Sequence, residues 1–302
     1  MAFRYINPGY ASLFNSADFK QFAVNPTNGV SAAGATRYTG ITLPEDVTDA
    51  WIKFDFNVAY KNQGYMFRAY FGNFCGLKFA YMADGGNNYA MTVFRNGDSD
   101  AALAKTVVLN TATGNVNTVL MHCKAGTTGG ILKIIVNDAV VCDYTGKIVM
   151  SGDTDLPANK IEMTCDFDGN DPVVTFSNII ISDQPIALNE HVYIVPAKST
   201  ETTWSKDASD NYSTDTAGSE LLQIPDMSSF PGGNNITGIA IAADGMTGTT
   251  PITGIFMKDG AETQKGTLTP TASASTAGEV SWTESMTAIE LTNRKFGWKA
   301  GA

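Results

Sequence analysis

The sequence predicts an all-β protein: two consecutive antiparallel β-sandwich domains of jelly-roll type, closed by one short C-terminal helix. Three observations predict it. Short runs alternate apolar and polar residues with a period of two, which suits strands that bury one face. Clusters rich in Gly, Asn and Asp separate these runs and supply turns. Charged residues make up only 17% of the chain against 43% hydrophobic, so there is enough apolar material for real cores. At 302 residues the chain exceeds one ordinary sandwich and suits two domains of about 100–200 residues. Its 29 Gly and 11 Pro are too few for a collagenous or disordered chain.

The elements follow in chain order. From Trp51 onward, Ile52, Phe54, Phe56, Val58 and Tyr60 share one face, and Lys53, Asp55 and Asn57 share the other. That reads as a half-buried strand. Further strand-like runs occupy 65–71, 77–82, 89–95, 119–124, 131–137, 139–144, 161–167 and 173–181. The dipeptide Asn137-Asp138 is a polar two-residue hairpin tip. Residues 184–189 break the pattern and set the expected domain boundary, with 1–186 as the first sandwich and 187–302 as a smaller second one. His191 to Pro196 restarts the strand pattern, and 220–224, 236–242 and 251–258 continue it. Near the end, Trp282, Met286 and Ile289 fall at helical spacing, with Ser281 or Thr283 as cap and Glu284 in the first turn. A last strand, Lys295-Phe-Gly-Trp-Lys299, closes the domain.

Charge narrows the partners. A net charge of −10 opposes nucleic-acid binding, which needs clustered cations, and the chain has no Lys/Arg run. No stretch reaches 18 consecutive apolar residues, and no apolar segment follows a basic start, so neither membrane insertion nor a secretory leader is expected. Cys75, Cys123, Cys142 and Cys165 contain no C-x-x-C pair, and the expected role for those in strands is that of small buried hydrophobes.

Two resemblances refine this reading. The ending Ser281-Trp-Thr-Glu-Ser-Met-Thr-Ala-Ile-Glu-Leu-Thr-Asn-Arg-Lys-Phe-Gly-Trp-Lys-Ala300 resembles the C-termini of many bacteriophage virion β-domains, especially tail and fibre-associated proteins. It implies a virion structural protein at the particle surface: a tail fibre, tail-associated or capsid decoration subunit. Such a protein is made in the host bacterial cytoplasm and works in assembly or host-surface attachment, with other virion proteins, further copies of itself as a homo-oligomer, and a host surface glycan as partners. The three strands around Asn117-Thr-Val-Leu-Met-His-Cys-Lys124, Ile131-Leu-Lys-Ile-Ile-Val-Asn137 and Asp138-Ala-Val-Val-Cys-Asp-Tyr-Thr-Gly146 resemble the laminin-G-like or concanavalin-like jelly roll over about residues 10–185. In that fold they would be neighbours in one sheet, with 176–183 as the last strand, returning beside the first, and residues 11–38 would supply the N-terminal strand. A free bacterial carbohydrate-binding, lectin-like module is the alternative function.

Catalysis finds little support in the residues. A glycan-active hydrolase needs two carboxylates flanking the scissile bond, and the Glu-x-Asp-x-x-Glu spacing of retaining glucanases is absent. Glu162, with Asp166 and Asp168 on its face, reads as a polar outer face. His122 and His191 stand apart from any nucleophile motif and read as structural. The expectation is therefore no enzyme activity and no cofactor except possible calcium. Asp166, Asp168, Asn170 and Asp171 alternate oxygen-bearing side chains in a manner that suits Ca²⁺. The EF-hand pattern fails there, because its sixth position is Asp171 and its twelfth Ser177, and the other reading is an Asp/Gly-rich turn. Tyr60, Tyr65, Tyr70 and Tyr89, near loops, are candidate platforms for stacking on sugar rings, set against a core or rim role.

Overall fold

The computed structural model describes residues 4–7, 19–21, 30–32, 37–58, 65–71, 75–81, 88–95, 101–109, 116–148, 158–165, 174–230, 235–274 and 276–301. The chain divides into two compact units: residues 7–192, and residues 193–302 together with 1–6. It is all-β and built from antiparallel sheets, with one short helix near its end.

The strands are β1 (Arg4–Asn7), β2 (Phe19–Gln21), β3 (Val30–Ala32), β4 (Arg37–Val47), β5 (Asp49–Val58), β6 (Tyr65–Phe71), β7 (Cys75–Tyr81), β8 (Asn88–Phe94), β9 (Ala101–Val108), β10 (Asn117–Lys124), β11 (Gly126–Val136), β12 (Ala139–Ile148), β13 (Ala158–Cys165) and β14 (Val174–Ser182). In the larger unit, one sheet runs β12-β11-β10-β5-β14-β3-β2 and the other β4-β13-β6-β7-β8-β9. The predicted trio β10, β11 and β12 are neighbours, and β14 lies beside β5 and β3. Ile52, Phe54, Phe56, Val119, Met121, Leu132, Ile134 and Phe176 bury one face of the first sheet; Leu77, Met91 and Val93 are buried on the second. Phe176 meets Phe54 edge-on at 5.8 Å. Arg95, just after β8, hydrogen-bonds the Tyr144 hydroxyl of β12 and lies 5.3 Å over its ring, pinning one sheet to the other.

Among the strands that escape the sequence pattern, β4 and β9 have a common cause. β4 carries Gly40 and Pro44, and β9 is rich in Ala, so neither has the β-branched, alternating signature. Both are the outer strands of the second sheet, where half the ladder is missing and packing constrains composition less. A larger departure concerns β5. Its expected polar outer face is buried too, Lys53 completely so, because the chain after β14 folds over it.

The smaller unit contains β15 (Ala197–Thr202), β16 (Ser205–Lys206), β17 (Tyr212–Ser213), β18 (Glu220–Pro225), β19 (Asn235–Met246), β20 (Ile252–Lys258), β21 (Ala261–Leu268), β22 (Thr276–Thr287), α1 (Ala288–Leu291) and β23 (Lys295–Ala300). A five-stranded sheet β15-β18-β23-β20-β21 packs against the β19-β22 ribbon. Leu221, Phe256, Val280, Trp282, Met286, Leu291 and Trp298 form the shared core. The expected strand at 191–196 is absent, and the first strand starts after Pro196.

The terminal helix is shorter and later than its sequence spacing predicts. Trp282 and Met286 lie on β22, and only residues 288–291 are helical. A separation of four is even, so it keeps two side chains on one strand face just as it does on one helix face. Ile289, odd to both, is 79% exposed. The cap is Thr287, not Ser281 or Thr283: its hydroxyl accepts from the Glu290 amide while the Glu290 carboxylate accepts from the Thr287 amide. The predicted closing strand forms, as β23 in the middle of the sheet. Its Gly297 is required there, because any Cβ would collide with the Leu221 carbonyl of β18.

Candidate functional site

The polar face of β5 carries Asp49, Trp51, Lys53 and Asp55 in line, and the register sets Lys124, His122, Leu120 and Thr118 of β10 opposite them. On the other side, Ser182 faces Trp51, Ile180 faces Lys53 and Ser177 faces Asp55. A bulge in β14 between Ser177 and Ile180 holds Asn178 in left-handed backbone (φ 53°), a conformation Asn tolerates better than most residues.

These residues converge on Asp55. Its Oδ1 accepts from the Thr118 hydroxyl at 2.8 Å and from the Lys53 ammonium at 3.3 Å, and its Oδ2 accepts from the Asn178 amide at 2.7 Å. Burial pulls the Lys53 ammonium below the usual lysine range, and the adjacent Asp55 carboxylate opposes that shift. Asn178 also ties down the chain that follows β14. Its Oδ1 accepts from the Val192 amide at 2.6 Å, and its Nδ2 lies 3.2 Å from His191 Nδ1. Ile186 and Val192 of this covering segment are buried, and Glu190 closes its turn by accepting from the Ala187 amide at 2.8 Å.

A cleft of about 510 Å³ opens beside this polar floor, lined by Val116, Thr118, Asn137, Asp138, Leu188 and Asn189. The β11-β12 hairpin turn forms one wall. Asn137 and Asp138 both have positive φ (48° and 66°), as a two-residue hairpin with the right twist requires. Asn137 braces the turn on β10: its Oδ1 accepts from the Thr118 amide at 2.9 Å, and its Nδ2 donates to Asn117 Oδ1 at 2.8 Å. With Asn137 so occupied and the Thr118 hydroxyl donating to Asp55, Asp138 and Asn189 are the cleft's polar side chains to turn toward a ligand, between the aliphatic Val116 and Leu188.

At the far end of the same face, His122 stacks on Trp51 with ring centres 4.1 Å apart and bonds Asp49 through Nε2 at 2.7 Å. Lys124 lies 3.6 Å from the same carboxylate. Burial pushes the Cys142 thiol up to about 11, so this cysteine packs as a hydrophobe and is not poised as a nucleophile.

Tyr60, Asp166, Asp168, Asn170 and Asp171 fall outside the described residues. Tyr65 and Tyr70 are on β6 and Tyr89 on β8, in the second sheet, whereas the cleft belongs to the first. The register places Tyr70 opposite Glu162 and Gly76, and Tyr89 opposite Tyr81 and Val107. Sequence reading missed Lys53 and Asp55 as buried groups. The available signal was an oppositely charged i, i+2 pair in the middle of an otherwise apolar strand.

No protein-family model matches this chain, and no curated protein matches it. Solved structures do. A mutant of alginate lyase Aly36B in complex with alginate tetrasaccharide is 14% identical with a TM-score of 0.41, covering 63% of this chain and 98% of that one. The Emp46p carbohydrate recognition domain is 11% identical at 0.40, over 60% of this chain and 100% of its own. Peanut lectin is 11% identical at 0.39, over 60% and 97%. The likeness is one of β-sandwich fold alone.

Proposed function

We propose that the protein is a non-enzymatic, saccharide-binding adhesive protein whose ligand enters the cleft beside the Asn137-Asp138 turn. The observation that carries this reading is the lining of that cleft. A sugar ring offers hydroxyls around its edge and apolar C–H faces. Asp138 and Asn189 provide acceptors and donors for the first, and Val116 and Leu188 provide aliphatic contact for the second. The volume of about 510 Å³ suits one or two sugar rings. Hydrolysis would need a second carboxylate across the bond. Among the described residues Asp138 is the carboxylate that lines the cleft, and Asp55 beneath it is committed to three donors.

The setting we infer is the surface of a bacteriophage particle, as a fibre, tail-associated or decoration subunit. Its support is the resemblance of residues 281–300, whose closing strand forms and whose helix is reduced to one turn. Mass spectrometry of purified particles, together with neighbouring capsid or tail genes, tests that setting.

The binding reading is tested by a glycan array followed by calorimetry with Asp138→Asn. This variant keeps a residue tolerant of positive φ while removing the charge. At least about tenfold weaker binding, with an unchanged melting curve, is the expected result. Absence of binding to any glycan in the millimolar range, or binding indifferent to Asp138, rules the cleft out.

A further inference from the structure

The first sheet ends at β12, and among the described residues its ladder partners all belong to β11. Such an edge is a template for another strand unless something blocks it. The pairing of β12 with β11 slips between Cys142 and Val140, so the regular part of β12 spans residues 142–148. The other slip, near Gly126 and Gly130, is absorbed within β11. The midpoint of 142–148 is Thr145.

The same residue is the centre of a chemical self-complementarity. In an antiparallel pair of identical strands related by a two-fold axis at Thr145, Asp143 stands opposite Lys147 of the second copy, and Lys147 opposite its Asp143. Both are exposed, on the same face as exposed Thr145. On the other face, Tyr144 stands opposite Gly146, and Cys142 opposite Ile148. The Tyr144 ring already lies over Gly146 within its own chain, since a Cβ there would strike the ring and its hydroxyl. Large therefore meets small on one face and positive meets negative on the other. Asp143 also lies 3.7 Å from Lys133 of β11, so the added lysine would extend an existing charge ladder.

We propose that the protein self-associates through β12, two copies pairing antiparallel about Thr145 to form one continuous sheet. A two-fold contact of this kind is isologous, so one patch serves both subunits. The charge pattern also discriminates. Lys147 repels a foreign strand that offers a cation at that register, whereas a second copy offers a carboxylate there. Self-association through β12 does not require the cleft to hold a glycan, and it would place two clefts in one particle, favouring multivalent attachment.

Sedimentation velocity of the full chain across a concentration series tests this, with near-UV circular dichroism as the check on folding. D143K and K147D should each weaken dimerisation about tenfold or more, because each replaces two attractive cross-strand pairs with two repulsive ones. The double variant D143K/K147D should recover the wild-type constant. An equimolar mixture of the two single variants should associate more tightly than either alone. Thr145→Cys should yield a disulfide-linked dimer on mild oxidation. A chain that stays monomeric up to roughly 1 mM overturns the proposal, as does a dimer that both single variants leave unchanged, or a double variant no better than the singles.

Discussion

Asp55 of the larger unit and Glu279 of the smaller one occupy equivalent places: each lies on the polar side of a strand whose other side faces a core. Their surroundings differ. Asp55 receives a lysine ammonium, a threonine hydroxyl and an asparagine amide, so both of its oxygens are engaged. Glu279 receives the Ile6 amide at 3.2 Å on one oxygen and a bond with Ser281, and its Oε2 is buried without a partner. Burial accordingly pushes the Glu279 carboxyl up to about 8. A strand can carry a buried acid in either of two ways, by matching the charge with donors or by holding the proton.

The sharpest way to break the comparison is to remove Asp55. Asp55→Ala strands Lys53 in a site with no exposed surface, and loss of one partner of a buried ion pair typically costs about 3–5 kcal/mol. It also frees Thr118 and Asn178, the latter being the anchor of the segment over this face. Urea denaturation should therefore show severe loss in the larger unit, while Lys53→Met combined with Asp55→Ala recovers most of it. If the single variant is as stable as wild type, the ion pair is not holding this face together.

Glu279→Gln probes the other solution, and its signature is in pH. The folded pKa of about 8 lies above the ordinary value of 4.5. The stabilising contribution is therefore fully present below about pH 4.5, declines as pH rises through about 8, and levels off above that. The span is on the order of 5 kcal/mol. Gln is neutral at every pH, so the variant should match wild type in acid and exceed it increasingly up to about pH 8. Equal melting curves for the two proteins at pH 5 and pH 8.5 would falsify a proton-holding Glu279.

These paired sites show where sequence reading succeeds and where it stops. Alternation identified β5, β10, β11, β12 and β14, because strands with one apolar face must repeat every second residue. The Asn137-Asp138 tip was legible for the same kind of local reason. Burial of Lys53 was not, since it depends on residues 186–192 lying over a strand more than 130 positions earlier in the chain, a long-range fact without local trace. The mistaken helix at 282–289 arose from a spacing of four that strands and helices both satisfy. The cleft had no such local signal, because it is built from small polar and aliphatic residues whose types are unremarkable singly.

A third carboxylate, Glu290, completes the series, and its effect should be the smallest. It is exposed, and it accepts from the Thr287 amide at 2.7 Å and the Thr287 hydroxyl at 2.9 Å. Those two bonds hold its carboxyl below the usual carboxylate range, the opposite direction to Glu279. The sign of the linkage reverses with it. The cap stabilises above the ordinary carboxylate pKa and weakens as pH falls through the lowered one. Thr287→Ala removes both the hydroxyl that caps the helix and one of the bonds to Glu290. The melting temperature of the smaller unit should drop by roughly 3 °C near neutrality. That difference should shrink in acid, where a protonated Glu290 no longer supports the box in wild type either. A loss that stays constant from pH 7 to pH 3 would mean that only the hydroxyl matters and that Glu290 adds nothing to the turn joining β22 to β23.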